Sequence, residues 1–569
     1  MLSLQFLAAT LFALPTAIVL LHVAIYLVDP YGLRQYPGPF LAKFTDAWLG
    51  WVTQQGHRSE VIHELHKRYG SFVRISPSEV SIADLDAHSI VYAHGNGALK
   101  SSFYDGFLSG VPGLFNTRDR VQHARKRKII SHIFSQKSVV EFAPHIHLHI
   151  AALLRQWNRL YDDAVKGLSG SDGEGGWNGH DGRLWLHCLP WANYLAFDIT
   201  SDLAFGTAFG MIPAARDAVA VPANWAAPTD VTFPDPAIKY VPAIAVLTER
   251  VEYITAMAVL PAWWRPFVAR LPWYRARQPG SREYGGIAVV AVEKRLATPT
   301  ERADLLSKLH AGKDEHGQPL GRAELTAEAQ TFLTAGSDTT SNSVTAIIHH
   351  LAANSVVQAC LQQELDQHWL DDDPVATSEQ VQNLPYLDAC IKEGLRIQST
   401  IALGLPRVAP EGGLVVCGHF FSAGSVVSVP IYTLHRDPDI WGSDPDVYRP
   451  DRWFNVEKVT AMHKAFNPFS SGPRACVGRN LAALELSLII ATLLRSYHFV
   501  LAEPEKPIET REGFIRKPIP NSTMISARCC SGVTMPFSPF SRPSISRRVL
   551  STRRFMLLTE IYDSVLWIP

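Results

Sequence analysis

From Leu2 to Val28 the chain reads "LSLQFLAATLFALPTAIVLLHVAIYLV", with no Asp, Glu, Lys or Arg. As a helix this run extends about 40 Å, beyond the ~30 Å hydrocarbon core of a bilayer. It is longer than a signal peptide's apolar region and lacks the basic start, so the pattern predicts a transmembrane anchor over 1–28. Positive charge begins after it, at Arg34 and Lys43, which predicts a cytoplasmic position for everything downstream. "YPGPF", Tyr36–Phe40, cannot continue a helix and ends a Pro-rich elbow over 29–40.

Past the elbow the periodicity changes. Between about 190 and 400 apolar residues recur mostly at helical spacing, and "TAEAQTFLTAGSDTTSNSVTAIIHHLAANS", Thr326–Ser355, predicts one long helix. Strand-like runs occupy 71–82 ("SFVRISPSEVSI") and 413–429 ("GLVVCGHFFSAGSVVSV"). "KGLSGSDGEGGWNGHDGR", Lys166–Arg183, interrupts the helical pattern and predicts a surface loop. The body is therefore mainly α with small β-sheets. After Pro518 the composition turns to Ser, Arg and Pro, as in "FSPFSRPSISRRVLSTRRF". Residues 519–569 are expected to lie outside the packed core, as a disordered tail or the product of an unspliced intron or a frameshift. The sequon Asn521-Ser522-Thr523 lies there and has no meaning on a cytoplasmic face.

Charge and cysteine narrow the classes. Lys+Arg and Asp+Glu both number 53, so no net field points to nucleic acid. The seven cysteines are mostly scattered singly, which fits a reducing compartment better than a disulfide framework. One of them sits in "FSSGPRACVG", Phe469–Gly478. A lone cysteine is ordinarily a small buried hydrophobe. Here glycines on both sides would let the backbone approach a flat cofactor, and amide hydrogens would tune a metal-bound sulfur. One thiolate suffices when a macrocycle supplies the other ligands. Arg474 would pair with a carboxylate of such a cofactor, and the helix-periodic "RNLAALELSLIIATLL" that follows places Cys476 at a helix start. Upstream, "KEGLR" sets Glu393 and Arg396 three apart on one helix face, and "YRPDRW" supplies Arg452. An E-x-x-R alone is usually a surface pair.

Taken in order, E-x-x-R, P-x-R-W and F-x-x-G-x-R-x-C-x-G resemble the cytochrome P450 superfamily, and the resemblance runs from near Pro37 to about Pro518. It implies a cytochrome P450 fold with the haem domain over 41–518. It implies heme b (iron protoporphyrin IX), with Cys476 as axial ligand to the iron in a loop formed by Phe469, Gly472, Arg474 and Gly478. Glu393, Arg396 and Arg452 become a structural charge cluster. In "AGSDTT", Ala335–Thr340, Ala335 and Gly336 would clear room for a diatomic ligand, and Asp338 and Thr339 would hold and deliver protons. In "HARKRKIISHIF", His123–Phe134, His123 stands where the family often has Trp; with Arg127, and with Arg407 in "LPRVAP", it would face the haem propionates. Arg125, Lys126 and Lys128 are either a solvated charge run or part of a reductase docking surface.

"SSFYDGF" (Ser101–Phe107), "LFNTRDR" (Leu114–Arg120) and "RIQSTIALGLPRVAPEGG" (Arg396–Gly413) resemble, more narrowly, the fungal benzoate 4-monooxygenase (para-hydroxylase) family. The implied substrates are O2 and a small aromatic acid, the implied partner NADPH–cytochrome P450 reductase, and the implied place the endoplasmic reticulum membrane. A buried carboxylate requires a polar partner; Ser399, Thr400 and a group from 98–120 are candidates. The segment around Gly513 and Phe514 resembles a substrate-contacting turn whose returning strand is expected to be missing. Three alternatives stay open: another small phenolic or secondary-metabolite substrate, a haem-thiolate protein acting without a reductase, and a catalytically impaired product of a broken gene.

Overall fold

A computed structural model describes residues 2–529 apart from 109, 171–174, 223–237, 276–277, 299–303, 315, 370–372 and 520–523. The Asn521 sequon and residues 530–569 lie outside the described residues.

The centre of the body is the helix Arg322–Ala353. Its first turn carries Glu324, whose carboxylate accepts the Gly321 backbone N–H at 3.3 Å. At its other end the Asn354 side chain takes the His350 carbonyl at 2.7 Å. Apolar and small side chains surround it on most sides, so it is a core helix rather than a surface one. It packs along Cys188–Phe205, itself buried almost throughout. Close approach is enforced at Gly336, where a Cβ would sit 2.8 Å from Thr200 Oγ1. On that side the position must be small, because Thr200 of the neighbouring helix fills the space.

The predicted strands pair. Phe72–Arg74 and Glu79–Ile82 form an antiparallel pair, Val426–Ser428 joins the second in parallel, and Arg407–Val408 and Leu99–Lys100 complete a five-stranded sheet. Leu414–Val416 and His419–Phe421 make a separate hairpin.

A four-stranded sheet corrects two expectations. Its order is Tyr497–Leu501, Met524–Cys529, Arg183–His187, Trp177–His180. Met524–Cys529 is a central strand, so the packed body runs eleven residues beyond Pro518, to Cys529. From Ile525 to Arg528 apolar alternates with polar; Ile525 and Ala527 are fully buried and Ser526 is buried between them. Burying the isoleucine alone contributes about 2 kcal/mol. The composition shift after Pro518 had masked this short alternation. The Gly-rich segment likewise ends in a strand, because Trp177 is buried against the core.

The turn at Gly513 and Phe514 also has its return: Thr510–Glu512 pairs antiparallel with Arg516–Pro518. The expected break in that hairpin is absent.

Leu2–Val28 is helical. Within the described residues its apolar stretch is Thr16–Val28, and no single helix there is long and apolar enough to cross a membrane. His22 meets Trp264 in a tilted ring contact with centroids 5.8 Å apart, and Tyr26 meets Phe44 likewise at 4.6 Å.

Candidate active site

Cys476 lies between a one-turn helix, Gly472–Arg474, and the helix Arg479–Ser496. Its backbone N–H returns to the Phe469 carbonyl at 2.9 Å, closing the loop. Gly472 has φ +70°, and a Cβ there would lie 1.8 Å from the Tyr92 carbonyl oxygen. Only glycine fits. Gly478 is the opposite case: a Cβ would meet no protein atom within 4 Å. The protein itself does not require glycine there, whereas a flat group packed on the loop would. Cys476 is exposed by surface area yet enclosed by the body on all sides. Both hold for a side chain facing an internal hollow. Enclosure raises its thiol, while the Gly478 N–H, Arg127 and Arg479 pull it down.

Around this loop the fold gathers cations from four segments. Arg127 donates to the Ala475 carbonyl at 2.7 Å, and Arg474 to the Thr117 and Arg118 carbonyls at 2.6 and 3.1 Å. Arg407 is buried, donates to Tyr104 Oη at 2.9 Å and stacks over Tyr92 at 4.9 Å. Lys100 is buried too, donates to the Phe115 carbonyl, and holds its ammonium 4.3 Å from the Tyr104 ring and 4.6 Å from that of Phe115. Among the described residues none of these four has a carboxylate in ion-pair range. Burial pushes Arg474 down to about 10, with Arg407 adding to the effect. Burial also holds Lys100 well below its ordinary value, with Arg407, Arg474 and Arg127 next in effect. His123 is pushed down to about 3 by burial and then by the same cations, so it stands neutral. Gathering buried cations without anions is costly. The arrangement suits a ligand that brings two carboxylates.

A second charge cluster is complete in itself. Arg396 forks onto both Glu393 oxygens, Arg452 Nε reaches Oε1 at 2.7 Å and Trp453 Nε1 reaches Oε2 at 3.1 Å. Arg396 and Arg452 spend their remaining donors on carbonyls, including those of His435, Pro445 and Trp441, and Arg452 Nη1 also lies 3.4 Å from Asp444 Oδ1. Every lone pair and proton finds a partner, the condition under which a buried ion pair is tolerated.

On the central helix, Ala335 is exposed and Gly336 and Thr339 half-buried in an otherwise buried stretch. These residues face space that the protein does not fill. Thr339 Oγ1 donates to the Ala335 carbonyl at 2.6 Å. Asp338 is buried and pairs with Lys517 at 2.7 Å. Nearby, Phe103, Phe107, Phe115 and Phe514 form a continuous aromatic cluster, with the Phe107–Phe514 centroids 5.0 Å apart and Phe115–Phe514 5.3 Å.

The family model for cytochrome P450 matches residues 47–525 of this chain. The chain belongs to the cytochrome P450 family. Benzoate 4-monooxygenase from Aspergillus niger is 44% identical over 509 residues, covering 87% of this chain and 94% of the relative. A cytochrome P450 monooxygenase of Emericella nidulans is 30% identical over 515 residues (86% and 94%), and pisatin demethylase of Fusarium vanettenii is 26% identical over 508 (88% and 90%).

Members of the family bind haem through a thiolate and use O2 with electrons from a redox partner. The residues of this P450 fit haem: a thiol on an internal hollow, a glycine whose Cβ position is open, and unneutralised cations for two propionates. Lys100 belongs to that set and was not singled out in the sequence. Only its burial reveals it, since "ALKSS" carries no motif. Of the basic run, Lys126 is buried and pairs with Glu324 at 2.6 Å, and Arg125 pairs with the same carboxylate. Those two staple Arg120–Ser131 to the central helix; Lys128 alone is exposed. Ser399 is also spoken for, with Oγ at 2.7 Å from His435 Nδ1 and bonded to the Leu395 carbonyl. Thr400 faces the central helix, 3.2 Å from Ser343 Oγ.

Proposed function

We propose that this P450 hydroxylates benzoate at the ring carbon opposite its carboxylate, so that benzoate, O2, NADPH and a proton give 4-hydroxybenzoate, water and NADP+. The observation that carries this reading is the 44% identity over 509 residues with benzoate 4-monooxygenase. The cluster of Phe103, Phe107, Phe115 and Phe514 supports it, since a flat ring packs well against offset and edge-on aromatics.

Haem, when bound, supplies the oxygen activation. Cys476 is its ligand, and the Gly478 N–H tempers the sulfur's donor strength. Arg127, Arg407, Arg474, Lys100 and neutral His123 hold the propionates. Thr339 would orient a water in the hollow, and Asp338 would pass protons to it. The aromatic cluster orients the ring and keeps bulk water out. Electrons start at NADPH and arrive through cytochrome P450 reductase.

The catalytic body is placed on the cytoplasmic face of the endoplasmic reticulum by a single N-terminal span. Support comes from the uncharged run Leu2–Val28 and from exposed Phe40, Leu41, Trp51, Trp263 and Phe267. Aromatic residues of this kind suit the bilayer interface.

Reconstitution with reductase and NADPH tests the whole reading. The expected product from benzoate is 4-hydroxybenzoate. Hydroxylation elsewhere, or none, overturns the substrate assignment, and a parent protein without the reduced-CO Soret shift overturns the enzyme reading.

A further inference from the structure

Asp338 and Thr339 adjoin in sequence, and their side chains take different partners. The Thr339 hydroxyl is given to the Ala335 carbonyl. Asp338 Oδ1 lies 2.7 Å from Lys517 Nζ and 3.4 Å from Asn342 Nδ2, and Oδ2 is buried without a hydrogen-bond partner among the described residues.

Lys517 reaches this place from the strand Arg516–Pro518, almost two hundred residues further along the chain. Its ammonium also donates to Thr248 Oγ1 at 3.0 Å, on the helix Ala243–Ala258. One ammonium thus ties the hairpin, that helix and the central helix together. Asp338 is 2% exposed, whereas the Lys517 side chain is 14% exposed, so the lysine is the less buried of the two. The turn of the same hairpin carries Phe514, part of the aromatic cluster. A single rigid element therefore presents a ring to the pocket wall and a cation to the acid.

We propose that Lys517 is the positioning residue of the proton relay: its ammonium is the counter-charge that holds the Asp338 carboxylate in place beside Thr339. This rests on reading Asp338 and Thr339 as that relay. A buried carboxylate deprived of its cation either takes up a proton or swings away, and both outcomes remove it from proton transfer. Thr248 fixes the lysine, and the hairpin fixes the distance.

Holoenzymes of the parent, Lys517→Met, Lys517→Arg, Asp338→Asn and the Asp338→Asn/Lys517→Met double variant are compared with reductase, NADPH and benzoate. Haem loading is matched by the reduced-CO spectrum. For Lys517→Met the expected result is kcat lower by about tenfold with KM little changed, a larger solvent isotope effect and more peroxide per NADPH. Lys517→Arg keeps the charge and retains most of the activity. In the Asp338→Asn background, removing Lys517 costs nothing further, because both act through one group. If Lys517→Met fails to load haem, Lys517→Gln takes its place in the same comparison. Unchanged kcat in the Met variant overturns the proposal. So does a raised KM at constant kcat, which would make the cation a contact for the substrate carboxylate, and so does an undiminished loss in the Asp338→Asn background. If Asp338→Asn itself leaves coupling intact, the relay reading fails; if it uncouples while Lys517→Met does not, the Lys517 inference alone fails.

Discussion

Arg396 grips both oxygens of Glu393, Nε at 2.9 Å from Oε2 and Nη2 at 2.8 Å from Oε1, with neither side chain exposed. Arg452 closes on the same carboxylate. Glu393→Gln takes the anion from buried Arg396 and leaves Arg452 only the more distant Asp444 carboxylate, at a cost of about 3–5 kcal/mol. The expected outcome is a large drop in haem-loaded protein and in the thermal midpoint, read from the reduced-CO spectrum and far-UV circular dichroism. Arg396→Lys behaves similarly, since an ammonium cannot fork onto both oxygens. Parent-like loading in both variants would remove the cluster from the structural role given it.

Cys476→Ala removes a side chain that bonds the protein only through its sulfur, so the fold survives. The reduced-CO Soret shift is expected to vanish while the far-UV spectrum stays. A persistent shift would require a different ligand.

Gly472→Ala forces a methyl into the Tyr92 carbonyl at a left-handed φ. The loop before Cys476 must then move. Haem content is expected to fall sharply with little change in overall helicity, and the measurement is haem absorbance per mole of protein. Gly478→Ala, with no protein atom near its Cβ, is expected to leave the apoprotein's melting unchanged and to weaken haem retention alone.

Thr339→Ala removes the hydroxyl that faces the hollow. NADPH consumption is expected to continue while 4-hydroxybenzoate per NADPH falls several-fold and peroxide rises. Thr339→Ser restores part of the coupling. Unchanged coupling in the alanine variant would count against the relay.

Glu485, on the helix after Cys476, is buried and accepts a hydrogen bond from Thr340 Oγ1 at 2.9 Å. Burial raises its carboxyl from the ordinary 4.5 to about 7, against the pull of that bond. The folded state therefore binds a proton more readily than the unfolded one. The stabilisation is full below about pH 4.5 and is lost as pH rises through about 7; at 1.36 kcal/mol per unit it amounts to at most about 3 kcal/mol. Glu485→Gln removes this slope. Its thermal midpoint is expected to match the parent near pH 5 and exceed it at pH 8. Parallel curves for the two proteins would show that Glu485 does not titrate in this range.

Much of the site was legible in the chain because its parts are local. Phe469, Gly472, Arg474, Cys476 and Gly478 fall within ten residues, and Glu393 and Arg396 are one helical turn apart. Their spacing is set by backbone geometry, which sequence states directly. Asp338 and Thr339 were legible for the same reason. The main helix and the strands within 71–82 and 413–429 followed from periodicity.

Tertiary structure decided who meets whom. Lys100 became a buried cation and Lys126 a staple to Glu324, though both look like solvated lysines in the sequence. Gly336 is held to glycine by Thr200 of a neighbouring helix, a contact the sequence does not show. "MISARC" became a central strand because Tyr497–Leu501 and Arg183–His187 offer it two edges, which its own composition does not reveal. Lys517 was assigned to Asp338 only by the hairpin that carries it across the body. The chain by itself determined the cysteine loop, the Glu393–Arg396 pair and the Asp338-Thr339 segment, since each is fixed by a few neighbouring dihedrals. The partners that position them were chosen by long-range packing, where burial of the whole core sets which distant charges come within 3 Å.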